Sequence, residues 1–442
     1  MRAHHICILL VLLLIPFVQG GLAKGPSLKD DAYQYMHTGS NDQLYNEGWY
    51  FNGMYNDTQF FISYLITDPD NITGRRRIQA MALVLEEGKP PFIGIHQGRG
   101  LGVGRSGPTL DIDLSGISSE DESAIKVWGD VESLSGEPLK WDLTYNALTG
   151  PWFGISPQIH IGHLSGDWMK WLVYMPSAEV VGTITVDGQV KEIRGTGYHD
   201  HIWGRWAFND PQWNRAQLSL PRENFSLSLG DAPGEERSTA LGIQAKGVTT
   251  KFSTRQLTLN YTGWATDQST ARDRPTGYEV HGKNGDYQLN LSIDVVKSVP
   301  LIFAYPRPQP SLLVFEEVSS FKGILSPRIG EAYPFQGLGF SQYTTHLLHP
   351  IYGQINATNV SGIMVTATNE RTGQSKTARA GLNGWFSIDA DYADFLANGS
   401  APWVGNGDRV RLEAEDSAGR KANSTVIVGL AEKSQNVRLN FM

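Results

Sequence analysis

Ten residues, Gly197-Tyr198-His199-Asp200-His201-Ile202-Trp203-Gly204-Arg205-Trp206, carry two imidazoles, a carboxylate and two indoles. Three chemistries use such a set. On an extended strand His199, His201 and Trp203 share one face, so the two imidazoles could seat zinc or copper with a third ligand from elsewhere. His160 and His163 are the nearest other pair, and on a strand they would point oppositely. A histidine with Asp200 or another carboxylate could instead protonate an alkene or activate water near neutral pH. The same groups could also form a satisfied hydrogen-bond network that braces a barrel wall beside the tryptophans. The metal reading is the weakest of the three, and no metal ligands are assigned.

A second cluster is Asn46-Glu47-Gly48-Trp49-Tyr50-Phe51-Asn52-Gly53. With period two, Glu47, Trp49 and Phe51 share a face and Tyr50 and Asn52 take the other. A carboxylate beside an aromatic row needs a partner if it is buried. Glu47 is therefore either exposed at a strand end, or a pocket group that accepts hydrogen bonds or holds a proton at raised pKa. Tyr64, the loop Gly94-Ile95-His96-Gln97-Gly98-Arg99-Gly100 and Trp168-Met169-Lys170-Trp171 could complete a pocket. There is no Gly-x-Ser-x-Gly elbow, phosphate loop or dinucleotide fingerprint, which disfavours hydrolase, kinase and dehydrogenase chemistry and implies no cofactor.

The elements that must position these residues read as almost entirely β. Runs such as Phe60 to Ile66, Ile78 to Leu85 and Lys140 to Tyr145 are β-branched and aromatic and end in Asp, Asn, Gly or Pro turns. The expected division is a signal peptide over 1–20, a first barrel over 33–222, a second over 223–350 and a small β-sandwich over 351–442. The Pro-rich stretch Tyr305 to Pro310 is read as a loop inside the second barrel. The apolar run Ile6 to Ile15, broken by Pro16, is too short to span a bilayer, so no stable membrane insertion is expected after cleavage. The only cysteine, Cys7, lies inside it.

Sequons at Asn56, Asn71, Asn224, Asn260, Asn290, Asn356, Asn359, Asn398 and Asn423 predict an N-glycosylated protein of the secretory pathway, exported or lumenal. A formal net charge of -8 argues against a nucleic-acid partner.

Taken in order, Glu47 to Gly53, Gly197 to Gly204 and the late Gly337-Leu338-Gly339-Phe340-Ser341-Gln342-Tyr343 resemble the double-lipocalin proteins. That group includes carotenoid hydratases, kievitone hydratase and the fungal Diels-Alderases of polyketide–peptide pathways. The resemblance covers roughly residues 33 to 346. It implies two calycin-type barrels packed together, with a hydrophobic ligand pocket in or between them. It further implies that Glu47 and Trp49 line the pocket and that the His199 to Trp203 segment forms the adjoining wall.

The favoured expectation is a cofactor-independent Diels-Alderase acting on a linear polyene polyketide–peptide substrate, with a decalin or isoindolone-type product. Folding the polyene and hydrogen bonding to the dienophile carbonyl would supply the rate. Glu47, His199, Asp200 and His201 are the expected catalytic residues, and Trp49, Tyr64, Trp203 and Trp206 the substrate-binding ones. The alternatives are a secreted hydratase of a phenolic or isoprenoid alkene, and a lipocalin-like carrier of a hydrophobic ligand.

Overall fold

Two tight turns set the register of the strands that matter most. Asn56, with φ 51°, turns Tyr45–Tyr55 into Thr58–Thr67. Asp187 and Gly188, with φ 47° and 73°, turn Trp168–Val186 into Gln189–Arg205, the paired positive-φ geometry that suits a two-residue hairpin. The computed structural model describes residues 25–36, 44–71, 76–119, 121–133, 136–154, 159–160, 168–206, 213–232, 237–267, 272–303, 312–346, 351–357, 360, 362–380, 384–388, 403–404, 407–428 and 435–441. The expected signal peptide, His163 and the sequons at Asn359 and Asn398 lie outside the described residues.

The first sheet has thirteen strands, from Tyr45–Tyr55 to Gln189–Arg205. Tyr45–Tyr55 lies between Thr58–Thr67 and Gln189–Arg205, antiparallel to both. An isolated bridge from Gly94 to Ser133 joins distant parts of this sheet and curls it round. Its interior is filled by Trp49, Phe51, Phe60, Tyr64, Trp141, Tyr145 and their neighbours.

The second sheet has nine strands, from Asn214–Leu220 to Tyr333–His346, and these two strands pair with each other. The change of sheet therefore falls between Arg205 and Asn214, ahead of the break expected after residue 222. The polar Pro221–Glu223 turn, closed by Asn224 at φ 48°, is a hairpin turn within the second barrel, not a linker. The strands on either side of the Pro-rich stretch pair with each other from Tyr287↔Pro327 to Phe303↔Leu312, while Tyr305 to Pro310 lie outside the described residues.

Thr58–Thr67 and Arg77–Glu86 are buried on both faces, which is why they read as unbroken apolar runs. Their inner face fills the first barrel. Phe61, Leu65, Met81, Leu83 and Leu85 on the outer face meet Val314, Val318 and Phe340 of the second.

Beyond Ile351 come a three-stranded and a four-stranded sheet around their own core, including Val365, Phe386, Val410 and Leu439. Leu313 and Phe315 of the second barrel belong to the same core, which docks this sandwich onto the barrel. Two lipocalin-like barrels followed by a β-sandwich are the architecture of this chain.

Candidate functional site

The register of Tyr45–Tyr55 against Gln189–Arg205 places Glu47 opposite Trp203, Trp49 opposite His201 and Phe51 opposite His199. All six face the interior of the first barrel. Cross-strand neighbours on one face lie within ring-stacking reach. Phe51 and His199 stack at 3.9 Å and 3°, and Trp49 and His201 at 4.4 Å and 15°. Trp203 covers the other side of His201 at 4.5 Å.

Two glycines bracket the segment for steric reasons. A Cβ on Gly197 would come within 2.2 Å of Val180 Cγ2, and one on Gly204, at φ 155°, within 2.2 Å of the Trp168 carbonyl oxygen.

The imidazoles find their carboxylates inside this barrel. His201 Nε2 is 3.0 Å from Glu47 Oε1. His199 Nε2 is 2.9 Å from Asp31 Oδ2, and its Nδ1 is 3.0 Å from the Tyr50 carbonyl oxygen. With both nitrogens engaged, His199 offers no lone pair to a metal. His201 Nδ1 faces Asp31 Oδ1 at 3.5 Å, and neither atom has a hydrogen-bond partner among the described residues.

Asp31 comes from a short segment that the sequence reading passed over. Residues 25–36 enter the barrel, where Asp31, Ala32, Tyr33 and Tyr35 are buried. Trp49 Nε1 donates to the Asp31 carbonyl at 2.9 Å, and the Gln34 and Tyr35 backbone N–H groups donate to Glu47 at 2.7 and 3.3 Å. The Tyr45 hydroxyl donates to Glu47 Oε2 at 2.7 Å.

Asp31, Glu47, His199 and His201 are each 0% exposed, and the geometry sets them apart electrostatically. Burial pushes the Glu47 carboxyl up to about 8, against the pull of Tyr45, Gln34 and Tyr35. Burial likewise pushes His201 down to about 3, so its imidazole is neutral. At His199 burial acts the same way, but the Asp31 charge and hydrogen bond outweigh it and raise the imidazole above its ordinary value. Neighbouring groups whose proton affinities are driven apart are the usual makings of an acid–base site.

Asp200 does not join them. Strand alternation sends Tyr198, Asp200 and Ile202 outward, into the seam between the barrels. There Asp200 accepts from Arg215 Nη1 at 2.8 and 2.9 Å, from Trp171 Nε1 at 2.9 Å and from the Tyr198 hydroxyl at 2.9 Å. Arg215 Nε donates to Gln342 Oε1 at 3.0 Å, and Gln342 donates to Glu316 at 2.5 Å. Arg215 also lies 4.4 Å from the Tyr50 ring centroid. Asp200 thus ties the two barrels together, whereas the histidines serve the first barrel alone.

Trp206 likewise packs in the seam, 6.5 Å from Trp213, and not on the first barrel's interior wall. Tyr64 does face that interior, bonded through its hydroxyl to the Trp128 carbonyl at 2.8 Å and to Trp141 Nε1 at 2.9 Å. His96 stands apart on the surface, 2.8 Å from Asp113. The residues missed from sequence are Asp31, Tyr45 and Arg215. The acidic pair Asp30-Asp31 just ahead of Tyr33-Gln34-Tyr35 was the one available signal for the first.

The two curled sheets and the seam between them form a double-lipocalin architecture. No protein-family model matches the chain, and no curated protein does. Among solved structures, an AttH-type protein of Nitrosomonas europaea superposes with a TM-score of 0.52 at 16% identity, over 75% of this chain and 99% of the other. Kievitone hydratase from Nectria haematococca gives 0.49 at 16% identity, over 73% and 96%. CghA with Sch210972 gives 0.47 at 11% identity, over 68% and 88%. At 16% identity the likeness to the Nitrosomonas protein is one of fold.

Proposed function

We propose that this protein is an enzyme acting on an unsaturated, hydrophobic small molecule, with Glu47 and His201 as its proton donor and acceptor. The observation that carries the reading is the 3.0 Å contact between them in a fully buried aromatic interior. The reaction the pair suits best is addition of water to an alkene. Glu47, whose carboxyl keeps its proton up to about 8, protonates one alkene carbon. Water adds to the other carbon, and His201 takes the proton that water releases. The Glu47 carboxylate left beside it makes His201 a stronger base at that moment. Return of the proton from His201 Nε2 to Glu47 Oε1 resets the pair, and the net change is alkene plus water to alcohol.

Asp31 and His199 hold the site rather than react. Their contact fixes His199 against Phe51, behind the working residues. Gln34 and Tyr35, on the segment that carries Asp31, cover Glu47 with their backbone N–H groups.

A second reading, a [4+2] cyclase, is favoured by the stacked wall of Trp203, His201 and Trp49. Such a wall suits a folded polyene, and protonated Glu47 could donate to the carbonyl that activates the dienophile. Turnover in oxygen-labelled water separates the two: label in the product supports hydration, while an unlabelled product isomeric with substrate supports cyclisation. A bound ligand recovered unchanged after long incubation overturns both in favour of a carrier. Passage through the secretory pathway is part of the proposal, supported by exposure of all seven described sequon asparagines, Asn56, Asn71, Asn224, Asn260, Asn290, Asn356 and Asn423.

A further inference from the structure

The second barrel contains a polar and aromatic compartment that the chemistry above does not use. Glu317 is 0% exposed there and accepts from the Ser341 hydroxyl at 2.8 Å, the Tyr278 hydroxyl at 2.9 Å and the Ser298 hydroxyl at 3.4 Å. Arg274 stands beside it with Nη1 3.7 Å from Glu317 Oε1, and the arginine side chain is 19% exposed. Nη1 donates to the Pro275 carbonyl at 3.4 Å, and Nε is buried with no hydrogen-bond partner among the described residues. A guanidinium has five N–H donors in a rigid fork, so this one is under-used. Burial pushes the Glu317 carboxyl up to about 7, which leaves it an incomplete counter-charge for Arg274 at neutral pH.

From Arg274 an aromatic path leads outward. Its guanidinium carbon is 6.0 Å from the Phe315 ring, Phe315 is 6.4 Å from Tyr343, and Tyr343 is 6.1 Å from Trp264. Trp264 is 56% exposed although it touches Tyr261 and Tyr343 edge-on. The strand ladder skips Gly263, at φ 62°, immediately before it. Phe315 and Tyr343 also pack into the core of the C-terminal sandwich, so that domain forms one wall of the compartment.

We propose that the part of the second barrel carrying Arg274 and Trp264 is a binding site for a small aromatic carboxylate, its carboxylate held by Arg274 and its ring laid against Trp264. The planar fork matches a carboxylate in two-point contact, and a half-exposed indole gains by being covered. The site is independent of Glu47 and His201 and stands or falls without them.

The test is calorimetric titration of the full chain with trans-cinnamate and with cinnamamide, followed in parallel by tryptophan fluorescence. Cinnamate binds saturably, with a change in emission, and about tenfold more tightly than the amide, the margin a charge-assisted pair gives. Arg274→Gln removes that preference, and Trp264→Phe removes the emission change while the preference remains. If Arg274→Gln fails to fold by circular dichroism, Arg274→Lys serves: it keeps the charge but not the fork, and cinnamate binding weakens. Absence of saturable cinnamate binding, equal affinity for the amide, or unaltered preference in the folded Arg274 variant overturns the proposal.

Discussion

Asp31 and His199 lie 168 residues apart in the chain and meet at 2.9 Å inside the first barrel. The contact links a short N-terminal segment to the strand that carries both buried imidazoles. Asp31→Asn removes the charge that raises the His199 pKa, so that pKa falls below its value in the native protein. Taking the charge out of a buried pair costs about 1–3 kcal/mol, since the partner loses a charged hydrogen bond. Histidine titration by nuclear magnetic resonance and denaturant unfolding would check the two effects. An unmoved His199 titration would disprove the pairing.

The buried carboxyls give the fold an unusual pH dependence. Glu47 is raised from 4.5 to about 8, and Glu316 and Glu317 from 4.5 to about 7, in each case by burial. The folded chain therefore keeps protons that the unfolded chain releases, and stability falls as pH rises from 4.5 towards 7 or 8. His201 acts in the opposite sense. Its pKa is depressed from 6.5 to about 3, so stability is lost as pH falls through that window. Unfolding midpoints measured across pH should decline on the alkaline side, and Glu47→Gln should flatten the decline between 7 and 8. A midpoint that climbs steadily to pH 8 contradicts this assignment.

Arg215 and Asp200 hold the two barrels together through a nearly fully buried pair. Arg215→Met leaves Asp200 charged and unpaired, at a cost of about 3–5 kcal/mol. Adding Asp200→Asn restores part of that loss, because the uncompensated charge disappears. Calorimetric unfolding of the single and double variants would show it. Equal instability of the two would mean that the seam does not depend on this charge pair.

Period-two reading put Glu47, Trp49 and Phe51 on one face, and His199, His201 and Trp203 on another, because alternation is a local property of extended chain. It also predicted barrels from short aromatic and β-branched runs, and the two curled sheets are there. It could not say which strands pair, and so could not place Glu47 beside His201. Asp200 was grouped with the histidines by sequence proximity, although its own alternation sends it to Arg215. Asp31 was beyond reach, since its position depends on a segment threading a barrel that closes only when the whole sheet is formed.

Tyr45 offers a way to tell whether Glu47 acts as an acid or a base. Its hydroxyl donates to Glu47 Oε2 at 2.7 Å and stabilises the carboxylate, which holds the Glu47 pKa lower than burial alone would. Tyr45→Phe removes that donor, so the carboxyl rises by up to about one unit, the scale of a single hydrogen bond to a carboxylate. If protonated Glu47 delivers the proton, the rate falls as pH passes about 8 in the native enzyme, and in the variant that fall moves to higher pH. If the carboxylate is the working form, the rate instead rises through the same range, and the variant delays the rise. The two roles thus shift the pH–rate profile in ways that differ in which limb moves. A profile left in place by Tyr45→Phe, with the variant folded, would show that Glu47 does not titrate in the rate-determining step.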